Sequence, residues 1–364
     1  MILDELAVPV VLAPLAGGPS TPELAAAVSR AGGLGFLAAG YLTAAELGRR
    51  IGRARELAGD APLGVNLFVP GAPATGGAAA AVAAYAAGLA AEARAAGVTL
   101  GEPRFEDDDW DAKLALLEAS PVPVVSFTFG CPDPAVLARL RAAGSEAWVT
   151  VVTPADAVTA AAAGADVLVA QGAEAGGHRS LFRDDPAGEV SDGLGLLSLL
   201  TLVRARTAVP VVAAGGIITG AGIAAVLAAG AAAAQLGTAF LRCPEAGTAA
   251  AARAALAGDT PTAMTRAFTG RLARGIRNRF LDEHTAGAPA AYPEVHHLTA
   301  PLRQAGRAAG DAEVLNLWAG QTHELGSELP AGELTAVLAR DAAVALDGAA
   351  GRLGAARQAG GAGG

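Results

Sequence analysis

The chain has 364 residues, more than half of them apolar, and a formal net charge of −9. That acidic balance excludes a general nucleic-acid surface, and any anionic ligand must be met by donors placed locally against the overall field. Only two cysteines occur, Cys131 and Cys243, without CxxC spacing, so neither a disulfide framework nor a metal site is expected.

The opening MILDELAVPVV has no basic n-region, and glycine, proline and arginine interrupt every long alanine-rich stretch. A secretory leader and a membrane span are therefore not expected, and the reading is a cytoplasmic protein. A rhythm follows along the chain. In SRAGGLGFLAAG, RAAGSEAWVTVVT, AAAGADVLVAQG and LAAGAAAAQLGT a helix runs out at glycine and a β-rich run begins almost at once. Thr21-Pro22 and Thr153-Pro154 read as helix starts, a capping threonine followed by proline at the first helical position.

Strands are expected at VPVVLAPLA, LGFLAAG, LGVNLFV, VPVVSFTFG, AWVTVVT, DVLVAQG, VPVVAAGG and AAAQLGTAFL. They are continuous apolar runs rather than alternating ones, as parallel strands buried on both faces should be. Eight such strands alternating with helices predict a closed (β/α)8 TIM barrel, with an open doubly wound sheet as the rival. The expected organisation is a barrel core over 1–242, a helical addition near the barrel mouth over 243–350, and a disordered, low-complexity tail over 351–364. An alanine-rich helix behind a glycine-rich lead follows the third strand.

Chemistry in such barrels sits at the C-terminal strand ends. Those ends carry Asn66, Ser126, Thr128, Gln171, Gly215, Gly216, Gln235, Gly237 and Thr238. AAGGIITG and QLGTAF, after the seventh and eighth strands, suit a phosphate held by bare backbone N–H groups, though such glycines also make plain tight turns. Asn66 and Gln171 sit on otherwise apolar strands and can each donate and accept, which suits the edge of a heterocycle; an amide satisfied by neighbouring backbone is the plainer account. No Walker A loop is present and no GxGxxG opens a helix. One phosphate and a polar-edged ring suggest a mononucleotide, and FMN is the commonest fit.

QGAEAGGHRSLF puts His178 on a glycine hinge after the sixth strand, where it could move a proton or orient an anion, or simply face water. Cys131 is followed by Pro132 and has no evident base, which reads as packing. TRAFTGRLARGIRNRF, with five arginines, reads as a solvated helix face or an anion-attracting one. AYPEVHHLTAPLR brings Tyr292, His296 and His297 together; adjacent histidines cannot share a helix face as a metal pair, but one could line the mouth.

Taken in order, LAPLAGGPSTPELAAAVSRAGGLGFLAAGY, GVNLFVP, VSFTFGCP, QGAEAGGHRSLF, PVVAAGGI, QLGTAFLRCPEAG and TRAFTGRLARGIRNRF resemble the nitronate monooxygenase family, formerly 2-nitropropane dioxygenases. The resemblance implies a TIM barrel that holds FMN, needs no nicotinamide, and oxidises anionic alkyl nitronates, of the propionate 3-nitronate type, with dioxygen. It implies a carbonyl product, nitrite or nitrate, and a flavin semiquinone on the way. By motif, Asn66, Gln171, Gly176, Gly216 and Gln235-Leu236-Gly237-Thr238 fall on the family's FMN contacts and His178 on its active-site histidine. Thr128 stands where members often carry histidine, and Ser180 where glycine is common. Thr128, Tyr292 and His296 are the substrate-side candidates. Two other functions share the barrel: an FMN- and NAD(P)H-dependent enoyl-thioester reductase, and a flavin-binding partner protein without turnover. The alanine-rich surface could also pack on a second copy as a homodimer.

Overall fold

A computed structural model describes residues 1–184 and 193–361, with side chains as far as residue 353. Eight parallel strands form the barrel: β1 (Val10–Leu12), β2 (Gly35–Ala38), β3 (Leu63–Phe68), β4 (Val124–Thr128), β5 (Glu146–Val151), β6 (Val167–Gln171), β8 (Val211–Ala214) and β9 (Ala233–Leu236). Their order is β1-β9-β8-β6-β5-β4-β3-β2, and a parallel bridge from Val11 to Leu34 joins the two ends. Leu12 N–H donates to Leu34 carbonyl at 2.9 Å and Leu34 N–H to Val10 carbonyl at 3.0 Å, closing the cylinder. Every one of the eight apolar runs read from the sequence is a barrel strand.

The local signals act as their chemistry dictates. Thr21 Oγ1 accepts from Leu24 N–H at 3.0 Å. Thr153 and Asp156 make a reciprocal capping box, at 3.0 and 3.2 Å. Gly144 and Gly164, with φ of 102° and 99°, turn the chain from helix to strand in the left-handed region. Inside the barrel Phe36, Val124, Trp148, Val167, Val169 and Val212 pack together, and Ile2 of the short helix Ile2–Glu5 plugs the bottom. A second layer of Leu, Val and Ala fills the space between strands and helices.

The late addition is mostly helical, but it also contains a hairpin that sequence patterning does not predict. β10 (Thr262–Thr265) and β11 (Ala273–Ile276) pair antiparallel, and β11 also pairs with β7 (Gly177–His178), opposite Ala273 and Arg274. The five-arginine stretch is therefore not a solvated helix face. Arg266, Arg271 and Arg274 are buried, and Arg274 Nε donates to Ala173 carbonyl at 3.0 Å.

The alanine-rich segment after β3 forms the helices Gly77–Gly88 and Ala90–Ala95 and packs on this addition. Tyr85 OH donates to Ala267 carbonyl at 2.8 Å. The closing helix, Ala331–Gly361, runs on through the stretch that composition reads as a disordered tail, so that stretch is helical as far as 361, and residues 362–364 lie outside the described residues. Part of the loop after His178, residues 185–192, lies outside them too. Among the described residues no helix is long and apolar enough to cross a membrane.

Candidate active site

The C-terminal strand ends and the addition enclose a cavity of about 590 Å³, a volume in the range of sites for drug-sized ligands and cofactors. One side is made of backbone. Gly215 and Gly216 follow β8 with φ of 114° and 68°, and a Cβ at 216 would lie 2.8 Å from the Glu174 Cβ, so the turn has room for glycine alone. Gln235, Gly237 and Thr238 line the cavity from the end of β9, whereas Leu236 turns its side chain into the barrel–helix packing. The addition completes this side: Gly320 N–H donates to Thr238 Oγ1 at 3.0 Å, and Thr322 Oγ1 donates to Gly216 carbonyl at 3.0 Å.

Three amides from the barrel strands line the same space. Asn66 Nδ2 donates to Ser126 Oγ and Thr128 Oγ1, both at 2.9 Å, and leaves Oδ1 without a partner among the described residues. Thr128 thus takes its place in the cavity wall as the neighbour of Asn66. Gln171 spends its amide on the hinge: Nε2 donates to His178 carbonyl at 2.9 Å and Oε1 accepts from Ser180 N–H at 3.0 Å. Gln235 is 6 % exposed, and its side-chain amide, which lines the cavity, has no hydrogen-bond partner among the described residues. A buried amide without a partner is costly, so the Gln235 amide fits a polar ligand in this cavity. The glycine turn and the open Asn66 and Gln235 groups together fit a nucleotide-like group.

His178 is held from above and below. β11 fixes its backbone, and its Nε2 lies 2.9 Å from Thr269 Oγ1. Gly176 and Gly177 also line the cavity on the approach to it. Phe129, Tyr292 and Trp318 surround the ring at centroid distances of 5.5, 6.0 and 5.4 Å. Burial, reinforced by Arg271 and Arg303, pushes this imidazole down to about 3, so it is neutral at physiological pH.

The helix Glu294–Ala309 brings His296 into the wall, where it stacks on Tyr41 with ring centroids 4.4 Å apart. Tyr41 N–H donates to Asp108 at 2.9 Å, and Asp108 is paired with the buried Lys113 at 2.8 Å. Burial and then Arg303 push His296 down to about 2. His297 points elsewhere, toward Glu106 at 3.2 Å. Tyr292 stands between His178 and His296 and faces an adjoining pocket together with Phe129 and Arg271, and burial raises its phenol well above the ordinary tyrosine value. Cys131 lies in that adjoining pocket, and burial pushes its thiol up to about 11.

Trp318 lies outside every stretch quoted above, and Tyr41, Phe129, Thr269 and Arg303 lie within such stretches without residue type or spacing singling them out; the chain brings the five together from distant elements. A barrel that seals a nucleotide-sized cradle and a neutral histidine under a late addition is the architecture of a cofactor-dependent enzyme. The chain belongs to the nitronate monooxygenase family, whose model matches residues 2–341, and it is an oxidoreductase. It is similar to a nitronate monooxygenase of Pseudomonas aeruginosa, with 42 % identity covering 92 % of this chain and 95 % of the other. Its structure is similar to a nitroalkane oxidase from Streptomyces ansochromogenes, with a TM-score of 0.91 and 54 % identity over 94 % of this chain and 98 % of that one. A FabK from Thermotoga maritima shares the fold with a TM-score of 0.72 and 26 % identity, over 97 % of this chain and 96 % of that one.

Proposed function

We propose that this chain oxidises alkyl nitronates of the propionate 3-nitronate type with dioxygen, using FMN, to a carbonyl compound and nitrite or nitrate. The observation that carries this reading is the placement of His178, neutral and half-buried, beside a cavity that no carboxylate lines among the described residues. A nitronate is already an anion, so no carbon-bound proton has to be abstracted. What the protein must supply is a place for that anion beside the cofactor, and hydrogen bonds that do not require a charged acid.

In this reading Gly215, Gly216, Gly237 and Thr238 would hold the cofactor's phosphate, and the amides of Asn66 and Gln235 would meet the edge of its ring. Gln171 acts through the hinge, fixing Gly176, Gly177 and His178 by its two bonds to the loop backbone. The flavin supplies the redox chemistry when bound. His178, with Thr269 on its Nε2, orients the nitronate. Phe129, Tyr292 and Trp318 exclude water around the imidazole.

The test is an anaerobic absorbance spectrum of the purified protein, with propionate 3-nitronate and NADPH added to separate samples. A flavin spectrum that changes with the nitronate and ignores NADPH is expected. Bleaching by NADPH alone overturns the reading in favour of a nicotinamide-dependent reductase, and a protein that carries no flavin removes its basis.

A further inference from the structure

Four non-glycine residues among those described have a left-handed backbone: Tyr41, Asp108, Asp109 and Phe129, with φ of 68°, 60°, 55° and 80°. Aspartate tolerates that region, but a tyrosine or phenylalanine there is uncommon and persists only where its surroundings hold it. Tyr41 and Phe129 line the cavity, whereas Asp108 and Asp109 do not and stand behind Tyr41. All four thus gather at one wall of the site.

What holds Tyr41 is a buried charge pair. In the turn after β2, Tyr41 N–H donates to Asp108 Oδ1 at 2.9 Å. Ala44 N–H, at the start of the helix Ala44–Ala58, donates to Asp109 Oδ2 at 3.1 Å. Asp108 Oδ2 lies 2.8 Å from Lys113 Nζ, and Lys113, on the helix Trp110–Ala119, is 1 % exposed. Burial raises the Asp108 carboxyl above the ordinary aspartate value, and Lys113 acts against that rise. Taking two charges out of water is costly. Each carboxylate oxygen has its own partner, so the pair sets the Tyr41 backbone in one geometry.

The Tyr41 ring is joined to His178 by two routes of ring contacts. One runs through Phe68 and Phe129, with centroid separations of 5.6, 4.4 and 5.5 Å. The other runs through His296 and Tyr292, at 4.4, 6.3 and 6.0 Å. The six rings form a closed circuit in which Tyr41 stands across from His178. Aromatic pairs at such distances have preferred mutual orientations, so a change in the plane of Tyr41 is passed along both routes to the rings that flank His178.

We propose that Asp108 and Lys113 are positioning residues for the nitronate: lying outside the cavity, they fix Tyr41 and, through the ring circuit, the faces that Phe129 and Tyr292 present to His178. This rests on the nitronate reading above. The flavin side should be indifferent to them, because Phe68, at the end of β3, lies four strands from β8 in either direction round the barrel, across from the Gly215–Gly216 turn. The plainer role is a structural tie between the helix Trp110–Ala119 and the turn after β2, which predicts lost stability without a change at the rings.

The experiment separates the charges from the bond to Tyr41. Asp108→Asn/Lys113→Met removes both charges but keeps an oxygen for Tyr41 N–H. Asp108→Gly/Lys113→Met removes the oxygen too, and glycine adopts a φ of 60° freely. On each holoprotein kcat/KM for propionate 3-nitronate is measured per bound flavin, together with melting temperature and the imidazole NMR signals, which with five histidines are few enough to assign. The glycine variant should lose about 10-fold or more in kcat/KM, as a displaced site does, and shift the His296 and His178 signals. The asparagine variant should hold both near wild type, with flavin content maintained in the two. Asp108→Ala/Lys113→Met carries the test if the glycine variant does not fold. Unmoved signals and kcat/KM in the glycine variant, whatever its melting temperature, overturn the positioning role and leave the nitronate reading standing. Equal losses in both variants overturn it too, by placing the effect in the charges, and so does loss of flavin from the glycine variant. If the wild type does not turn the nitronate over while the signals move in the glycine variant alone, the nitronate reading falls and the fixing of the rings stands.

Discussion

The cavity has two facing walls built by different means. After β8 and β9 the wall is backbone: glycines whose φ angles and crowded Cβ positions leave no room for a side chain. The other wall is side chain, with Tyr41, Phe129, His178, His296, Arg303 and Trp318 drawn from the loops over the mouth and from the late addition. A backbone wall accommodates a group common to a whole fold, and local glycine spacing encodes it. A side-chain wall selects a particular substrate, and its members need not be near one another in sequence.

The two walls should fail separately. His178→Asn should lower kcat/KM for nitronates by about 100- to 1000-fold, the scale of losing one preorganised hydrogen-bonding group at a reacting anion, while flavin stays bound. Loss of flavin in this variant would show that the walls are not independent. The same substitution reports on pH. The His178 folded value, about 3, lies below its unfolded value near 6.5, so the unfolded chain binds the proton first as pH falls. Stability tied to His178 is complete above pH 6.5 and is lost as pH falls toward 3. Melting temperatures taken from pH 7 to pH 4 should therefore fall less steeply for His178→Asn than for the wild type.

Gly216→Val attacks the other wall. A β-branched residue at a φ of 68°, with its Cβ 2.8 Å from that of Glu174, should cost about 2–3 kcal/mol. The expected result is roughly 10- to 100-fold weaker FMN binding by fluorescence titration, and unaltered affinity would refute a phosphate at this turn. The smallest effect is expected at Cys131→Ala. Its thiol, held protonated by burial, lies in the adjoining pocket rather than in the site, so turnover should change less than about 2-fold, as is usual away from functional groups. A larger loss would give the adjoining pocket a part in the reaction.

Legibility in the sequence followed the same division. The eight strands could be read because a strand buried on both faces is a continuous apolar run, and Gly215, Gly216 and Thr238 because a tight turn leaves a local mark. The pairing of β7 with β11 left no such mark, since Gly177–His178 is too short for any pattern. The arginines of TRAFTGRLARGIRNRF looked solvated because charge implies exposure when only neighbours in sequence are considered. Distant carbonyls are what allow their burial, as Ala173 does for Arg274 and Leu181 for Arg271.

The pairing of β7 with β11 also orders the events of synthesis. All eight barrel strands leave the ribosome before Ala273 does, so a barrel can close while the edge of Gly177–His178 still has no neighbour. Open edges of this kind invite association with other chains. Gly320 and Thr322, which finish the opposite wall, emerge later still. A nascent or truncated chain therefore holds neither wall complete, and the ability to act on substrate comes only with the last portion of the polypeptide.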